Sequence, residues 1–151
     1  MSENNVEKRE FVVFKIGAQE FCIEITSTRE IRGWTESTTL PHAPDYLLGV
    51  INLRGTILPI VDLARRLGLP TKTPNERDVI IVVQIGERTF GLFVDSVSDI
   101  LDVGPEQLRE VPDLDDQRAE EFFNAVVVVE DRIIYEILPA GVMPDEKDLA
   151  A

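Results

Sequence analysis

Histidine and cysteine are nearly absent from this chain, with one of each among 151 residues. One cysteine forms no internal disulfide, and a single His with a single Cys excludes the usual Cys/His zinc centres. His42 lies in a loop between Pro41 and Pro44 with no second histidine nearby, which fits a structural side chain better than a catalytic one. Cys22 sits inside an apolar strand pattern, where a small packed side chain is expected rather than a nucleophile. Long hydrophobic runs are also missing: nothing approaches the roughly 20 apolar residues of a membrane-crossing helix. The opening stretch MSENNVEKRE is polar and mixed in charge, without the apolar core of a secretory signal. The expectation is a cytoplasmic chain with no direct membrane insertion.

Basic charge is scarce. Fifteen Lys and Arg stand against 28 Asp and Glu, a formal net charge of −13. Such a surface repels phosphate backbones, so no nucleic-acid partner is expected. The chain has neither a glycine-lysine phosphate loop nor a Gly-x-Gly-x-x-Gly turn. Ser27, Ser96 and Ser98 have no histidine base in their strands. DLDDQRAEEFFN carries acids where a calcium loop begins, including Asp113 and Asp115, but has Arg118 at the glycine position and Asn124 at the closing glutamate. Without a catalytic constellation, the chain is read as a non-enzyme with no metal and no cofactor.

What the chain does have is a repeat. FVVFKIGAQEFCIEITSTREI (Phe11 to Ile31) overlays IIVVQIGERTFGLFVDSVSDI (Ile80 to Ile100) without a gap. Val13, Ile16, Gly17, Phe21, Ser27 and Ile31 meet identical residues at 82, 85, 86, 90, 96 and 100, and Glu30 faces Asp99. A weaker echo sets RGTILPIV against EDRIIYEI, in the same order along the chain. Each long copy reads as a hairpin whose turn holds a glycine suited to positive φ.

Strands are expected at about 10–17, 20–26, 48–54, 56–62, 78–85, 88–95, 124–130 and 132–138. Several are apolar at consecutive positions, as in strands covered on both faces. Helix signals are short: one turn at PDYLL after Pro44, about two turns in DLARRLG ended by Gly68, and about two in DQRAEEFF. LPTKTPNERD, with two prolines among polar residues, is the best candidate linker. Many short strands with few helices indicate small barrels or sandwiches.

One feature resists the scheme. GVINLRGTILPIVDL places Arg54-Gly55 between two apolar runs, where hairpins usually use Asn-Gly or Asp-Gly. A solvated turn is the plain explanation. The alternative is that the turn presents a guanidinium to a partner.

REIRG (Arg29 to Gly33), LPHAPDYLLGVINLRGTILPIVDL (Leu40 to Leu63) and GLFVDSVSDIL (Gly91 to Leu101), in this order, resemble the CheW-type chemotaxis coupling proteins of bacteria. The resemblance runs from about Phe11 to about Leu138. It implies a mainly β fold of two small five-stranded SH3-like barrels packed around a shared core. The domain would cover residues 9–143, as subdomains at about 9–75 and 76–143, with flexible tails at 1–8 and 144–151. It also implies a non-catalytic adaptor that joins the cytoplasmic tips of chemoreceptors to the regulatory domain of the chemotaxis histidine kinase. That kinase domain has the same two-barrel form, so the two can pack barrel to barrel into rings at membrane-associated receptor arrays. Arg54 and Gly55, with Asn52, match the family's Asn-Leu-Arg-Gly turn, associated with receptor binding near the groove between barrels. Glu30, in the matching EIRG, is the second residue carried over, followed by Arg32 and Thr28.

The C-terminal segment departs from the family. A regular helix is usual there, but IIYEILPAGVMPDEKDLAA has Pro139, Gly141 and Pro144 where it should begin, so a short, shifted or absent helix is expected. Two alternatives stand beside the adaptor: a coupling protein of a non-chemotactic array, and a small-ligand-binding β-barrel. A pocket of convergent polar groups would favour the latter, and a shallow apolar groove the adaptor.

Overall fold

Consecutive valines, isoleucines and phenylalanines in this chain serve two cores at once. The computed structural model describes residues 8–112, 119–145 and 149. In β1 (Arg9–Ile16), Phe11 and Val13 join a cluster with Cys22, Val103, Val127 and Ile134, while Val12, Phe14 and Ile16 point into a larger one. β6 (Val79–Ile85) repeats the arrangement: Ile80 and Val82 pack with Ile51, Leu58, Ile60 and Phe93, and Ile81 and Val83 enter the larger cluster. Side chains alternate between faces along a strand, so an unbroken apolar run requires cover on both. The two smaller clusters are the barrel interiors, and the larger one is the shared core between them.

Nine further strands complete the framework: β2 (Gln19–Glu24), β3 (Thr28–Gly33), β4 (Leu47–Leu53), β5 (Thr56–Asp62), β7 (Arg88–Val94), β8 (Ser96–Val103), β9 (Leu108–Arg109), β10 (Phe123–Val129) and β11 (Arg132–Ile137). They form two sheets, in the order β8-β1-β2-β11-β10-β9 and β3-β6-β7-β5-β4. The two-barrel, mainly β expectation holds, with one addition: Leu108 and Arg109 pair with Val127 and Val126, giving the first sheet a sixth strand. Eight strands fall where the apolar runs place them. β3, β8 and β9 had not been expected. β3 and β8 largely alternate exposed with partly covered residues, so they lack the continuous apolar signal.

The repeat is structural. Phe14 faces Phe21 in the first hairpin as Val83 faces Phe90 in the second, and Gly17 and Gly86 take φ of 60° and 58° in the turns. The weaker echo holds as well. Parallel pairing sets Glu136 beside Cys22 in one sheet and Ile60 beside Gly91 in the other. At position 91 a Cβ would fall 2.7 Å from the Ile60 Cδ1 atom, so the second sheet requires glycine where the first has room for cysteine.

The sheets do not divide at 75/76. Each combines the first two strands of one repeat with the later strands of the other: β1 and β2 pair with β8 and β11, and β6 and β7 with β3 and β5. The halves therefore exchange strands, and a boundary at about residue 75 separates neither barrel. The candidate linker at 69–78 joins β5 to β6 inside one sheet and is tied down. Buried Asp78 accepts from the Asn75 amide at 2.7 Å and pairs with Lys72.

The α-helices bounded by described residues are single turns. α1 (Leu63–Arg66) is capped by Asp62, and Gly68 follows it with φ of 77°, half the expected length. After Pro44 there is only a turn, closed by the Leu47 amide on the Pro44 carbonyl at 3.1 Å. α2 (Ala119–Phe122) covers the end of the expected DQRAEEFF helix, whose earlier residues, like most of the calcium-like loop, lie outside the described residues. α3 (Pro139–Val142) accommodates Pro139 in its first turn, where a missing N–H leaves no bond unmade. A Cβ at Gly141 would fall 1.8 Å from the Glu121 carbonyl oxygen, so only glycine lets α3 lie against α2. The flexible tail expected at 144–151 falls mostly outside the described residues, and its described part is held to the fold. Pro144 is buried and accepts from Arg88 Nη2 at 2.6 Å, and Leu149 packs on the shared core.

Candidate functional site

Arg54 and Gly55 form the two-residue loop between Leu53 and Thr56, with φ of 51° and 88°. Positive φ at both central positions is the signature of a type I′ turn, whose twist matches the hairpin. The Asn52 side-chain oxygen accepts the Gly55 amide at 2.9 Å and holds the loop closed. Gly55 meets this geometry without strain. Arg54 does not, because a left-handed L-residue crowds its own carbonyl at a cost of about 1 kcal/mol. The structure thus keeps a strained, 70% exposed arginine side chain where asparagine would sit more easily.

Its partner comes from β3. Thr28 faces Val83 and Glu30 faces Val82, so Arg29 between them is bulged out of register and exposed. The bulge aims Glu30 at the turn. Its Oε1 accepts from Arg54 Nη2 at 2.5 Å, and its Oε2 lies 3.4 Å from Arg32 Nη1. The hydrogen bond from Arg54, reinforced by Arg32, holds the Glu30 carboxyl below its usual range, so it is ionised at neutral pH. Thr28 donates its hydroxyl to the Glu24 carbonyl at 3.3 Å, fixing the entry to β3.

These residues border an open groove of about 470 Å³. Of the six predicted site residues, Thr28, Glu30 and Arg54 line it, Arg32 supports Glu30, and Asn52 and Gly55 build the turn. Sequence reasoning missed Arg29, Gln84 and Thr89, which also line it. Arg29 carries no signal without knowledge of the bulge. Gln84 and Thr89 flank the second hairpin turn and reach the groove only because β6 and β7 share a sheet with β3 and β5. The groove is more polar than the shallow apolar one expected of an adaptor, but it is a surface channel rather than an enclosed ligand cavity. Between Thr56 and Leu58, which line the groove, Ile57 alternates to the other face of β5 and is 62% exposed, and its counterpart Ile133 in the other sheet is 57% exposed.

The other titratable groups offer little chemistry. Cys22 is buried, and burial pushes its thiol far above the usual range, so thiolate is negligible. His42 is exposed in its turn. Among the described residues, no group of three or more His, Cys, Asp or Glu is placed to hold a metal, and no helix is long and apolar enough to cross a membrane.

Two interlocked SH3-like barrels with a charged surface groove define a double β-barrel module. The chain belongs to the CheW-like domain family, whose model matches residues 10–146. It is 48% identical over 143 residues to the chemotaxis protein CheW of Rhizobium meliloti (strain 1021), covering 95% of this chain and 92% of that protein. It is 36% identical to the chemotaxis protein CheW of Klebsiella aerogenes, across 83% of this chain and 76% of that one. The crystal structure of the scaffolding protein TtCheW from Thermoanaerobacter tengcongensis superposes with a TM-score of 0.83 at 25% identity, covering 91% and 94% of the two chains. The family resemblance and the adaptor class therefore stand.

Proposed function

We propose that this chain couples the cytoplasmic tips of chemoreceptors to the regulatory domain of the chemotaxis histidine kinase, and that it acts by binding rather than by catalysis. The observation that carries the reading is the Glu30–Arg54 corner: a strained arginine, held by an ionised acid, exposed at the rim of an open groove. Backbone strain at an exposed position persists where it serves recognition. A guanidinium with most of its donors unused suits polar groups on a helical partner. The groove takes the receptor, with Glu30, Arg54, Thr28, Arg32, Asn52 and Gly55 as its site. The kinase domain packs on a barrel end, where Ile57 or Ile133 provides apolar cover. Recruitment to membrane-associated arrays follows from the receptor contact.

The test is separate titration with a soluble receptor-tip fragment and with the isolated kinase regulatory domain. Saturable binding to both, and a ternary complex when they are mixed, is the expected result. Binding to neither would remove the adaptor reading. Binding to the kinase domain alone would leave the groove without its assigned partner.

A further inference from the structure

The first sheet holds a similar corner around the acid that the repeat matches to Glu30, and there an arginine from a different repeat position is fully engaged. In the first sheet, Asp99 stands opposite Val13 as Glu30 stands opposite Val82 in the second. Arg132, which the weaker echo sets against Thr56 rather than Arg54, reaches Asp99 from just after its hairpin turn, as Arg54 reaches Glu30 from within its own. Arg132 has a second acid as well: its Nη2 lies 2.6 Å from Glu20 Oε2 and its Nε 3.1 Å from Glu20 Oε1, while its Nη2 and Nη1 are 3.2 and 3.3 Å from the two Asp99 oxygens. The guanidinium is thus forked between two carboxylates, and its side chain is only 30% exposed. The repeat places Thr89 where Glu20 stands. Thr89 lines the groove beside Arg54, whose side chain keeps 70% exposure and a single direct carboxylate.

We propose that the groove accepts a carboxylate from the partner, an aspartate or glutamate side chain seated between Arg54 and Thr89, which completes around Arg54 the two-carboxylate arrangement that Glu20 and Asp99 make around Arg132. This rests on the receptor-binding reading and specifies its chemistry. The space is open, the Thr89 hydroxyl offers a donor, and the exposed Arg54 guanidinium, which lines the same groove, has N–H groups beyond the one given to Glu30. Specificity follows from the rest of the surface. On a chain of net charge −13, a partner's acid is repelled at most positions, so a free arginine fixes both site and register. Thr89 is then a specificity residue, since the matching glutamate at position 20 has closed the corresponding corner of the first sheet.

The experiment compares Thr89→Glu with Thr89→Gln. The glutamate supplies the missing carboxylate from within, whereas glutamine fills the same volume without charge. Titrated with a receptor-tip fragment, Thr89→Glu should bind between about tenfold and a hundredfold more weakly, the range of one charge-assisted hydrogen bond. Thr89→Gln, which crowds the seat as much but keeps an N–H donor for the partner's carboxylate, should lose clearly less. In the free protein, the Arg54 Nε–H resonance of Thr89→Glu should shift and its exchange slow, approaching the behaviour of Arg132. Equal losses for both variants, or undiminished binding by Thr89→Glu, overturns the carboxylate proposal while leaving a receptor site in place. Failure of wild type to bind the fragment overturns the receptor reading itself. Replacing the fragment's acidic residues one at a time with their amides should identify a single position that weakens binding to wild type and is silent with Arg54→Ala.

Discussion

Glu30 and Asp99 are matched acids with unequal partners. Each stands at the same bulged register opposite an identical valine, Val82 or Val13. Glu30 holds an arginine that is mostly in water, whereas Asp99 helps to hold one that is largely covered. The two sheets thus carry similar corners around matched acids, one finished within the chain and one left open, their arginines drawn from different positions of the repeat.

Replacement of Arg54 by asparagine should separate stability from binding. Asparagine tolerates the left-handed conformation that strains arginine, so the turn gains up to about 1 kcal/mol. The lost pair with Glu30 is at the surface and worth little. Urea unfolding should show Arg54→Asn at least as stable as wild type, while affinity for the receptor fragment falls by about 1.5–3 kcal/mol. A variant that is destabilised and still binds normally would make Arg54 a structural residue.

Strand exchange predicts that the barrels unfold together. The β1–β2 hairpin needs β8 and β11, and the β6–β7 hairpin needs β3 and β5, so neither sheet closes without both halves of the chain. Trp34 packs on the second barrel's core, so its fluorescence reports that barrel, while far-UV circular dichroism reports both. The two signals should give one coincident transition in denaturant. Fragments 1–75 and 76–151 should each be unfolded alone. Two separated transitions, or a stable folded half, would contradict the exchange.

How far the sequence disclosed this fold depended on burial. Strands covered on both faces, such as β1 and β6, announce themselves as apolar runs. β3 and β8 do not, because one face is wet and the other only partly covered. The repeat was visible as matched residues, but sequence order says nothing about which copy a strand pairs with, so the exchange was not. Arg54 stood out because arginine is the wrong residue for a type I′ turn, and Glu30 through its family motif. Thr89 and Gln84 had no local signal. Only the pairing of β6 with β3 and the shared sheet bring them to the groove.

Asp62 gives a pH-dependent test. It is buried at the start of α1, and desolvation raises its carboxyl above the usual aspartate range despite the Arg65 amide at 3.4 Å and the Arg65 guanidinium at 4.0 Å. A raised folded pKa means that the folded state favours the neutral form. The associated stability is present below the unfolded value of about 3.9 and lost as pH rises through the folded one. Asparagine retains the cap without the charge. Asp62→Asn should therefore gain on wild type as pH increases from about 3.5 to 7, measured by unfolding midpoints, whereas Asp62→Ala loses about 1 kcal/mol of capping. A stability difference between Asp62→Asn and wild type that does not change with pH would rule out the desolvated carboxylate.

The charge reversals Glu30→Lys and Asp99→Lys put the inequality of the two corners to the test. Both acids are surface groups at matched positions, so each reversal changes net charge by the same amount and perturbs the same register. Glu30→Lys removes the acceptor that holds Arg54 over the groove and sets a third cation beside Arg54 and Arg32, so Arg54 swings away from the place where the receptor meets it. Asp99→Lys removes one of two carboxylates from Arg132, which Glu20 still grips through two hydrogen bonds. Receptor affinity should therefore fall for Glu30→Lys and remain close to wild type for Asp99→Lys, with both proteins folded by circular dichroism. Kinase-domain binding should survive Glu30→Lys, because the contact proposed for it is apolar and separate from the groove. Raising the salt concentration separates the causes further. A localised pair in the groove is only partly screened, whereas a general field effect fades over a Debye length of about 8 Å at physiological ionic strength. Equal losses for the two reversals, both abolished by salt, would show that overall charge rather than the Glu30–Arg54 corner governs receptor binding.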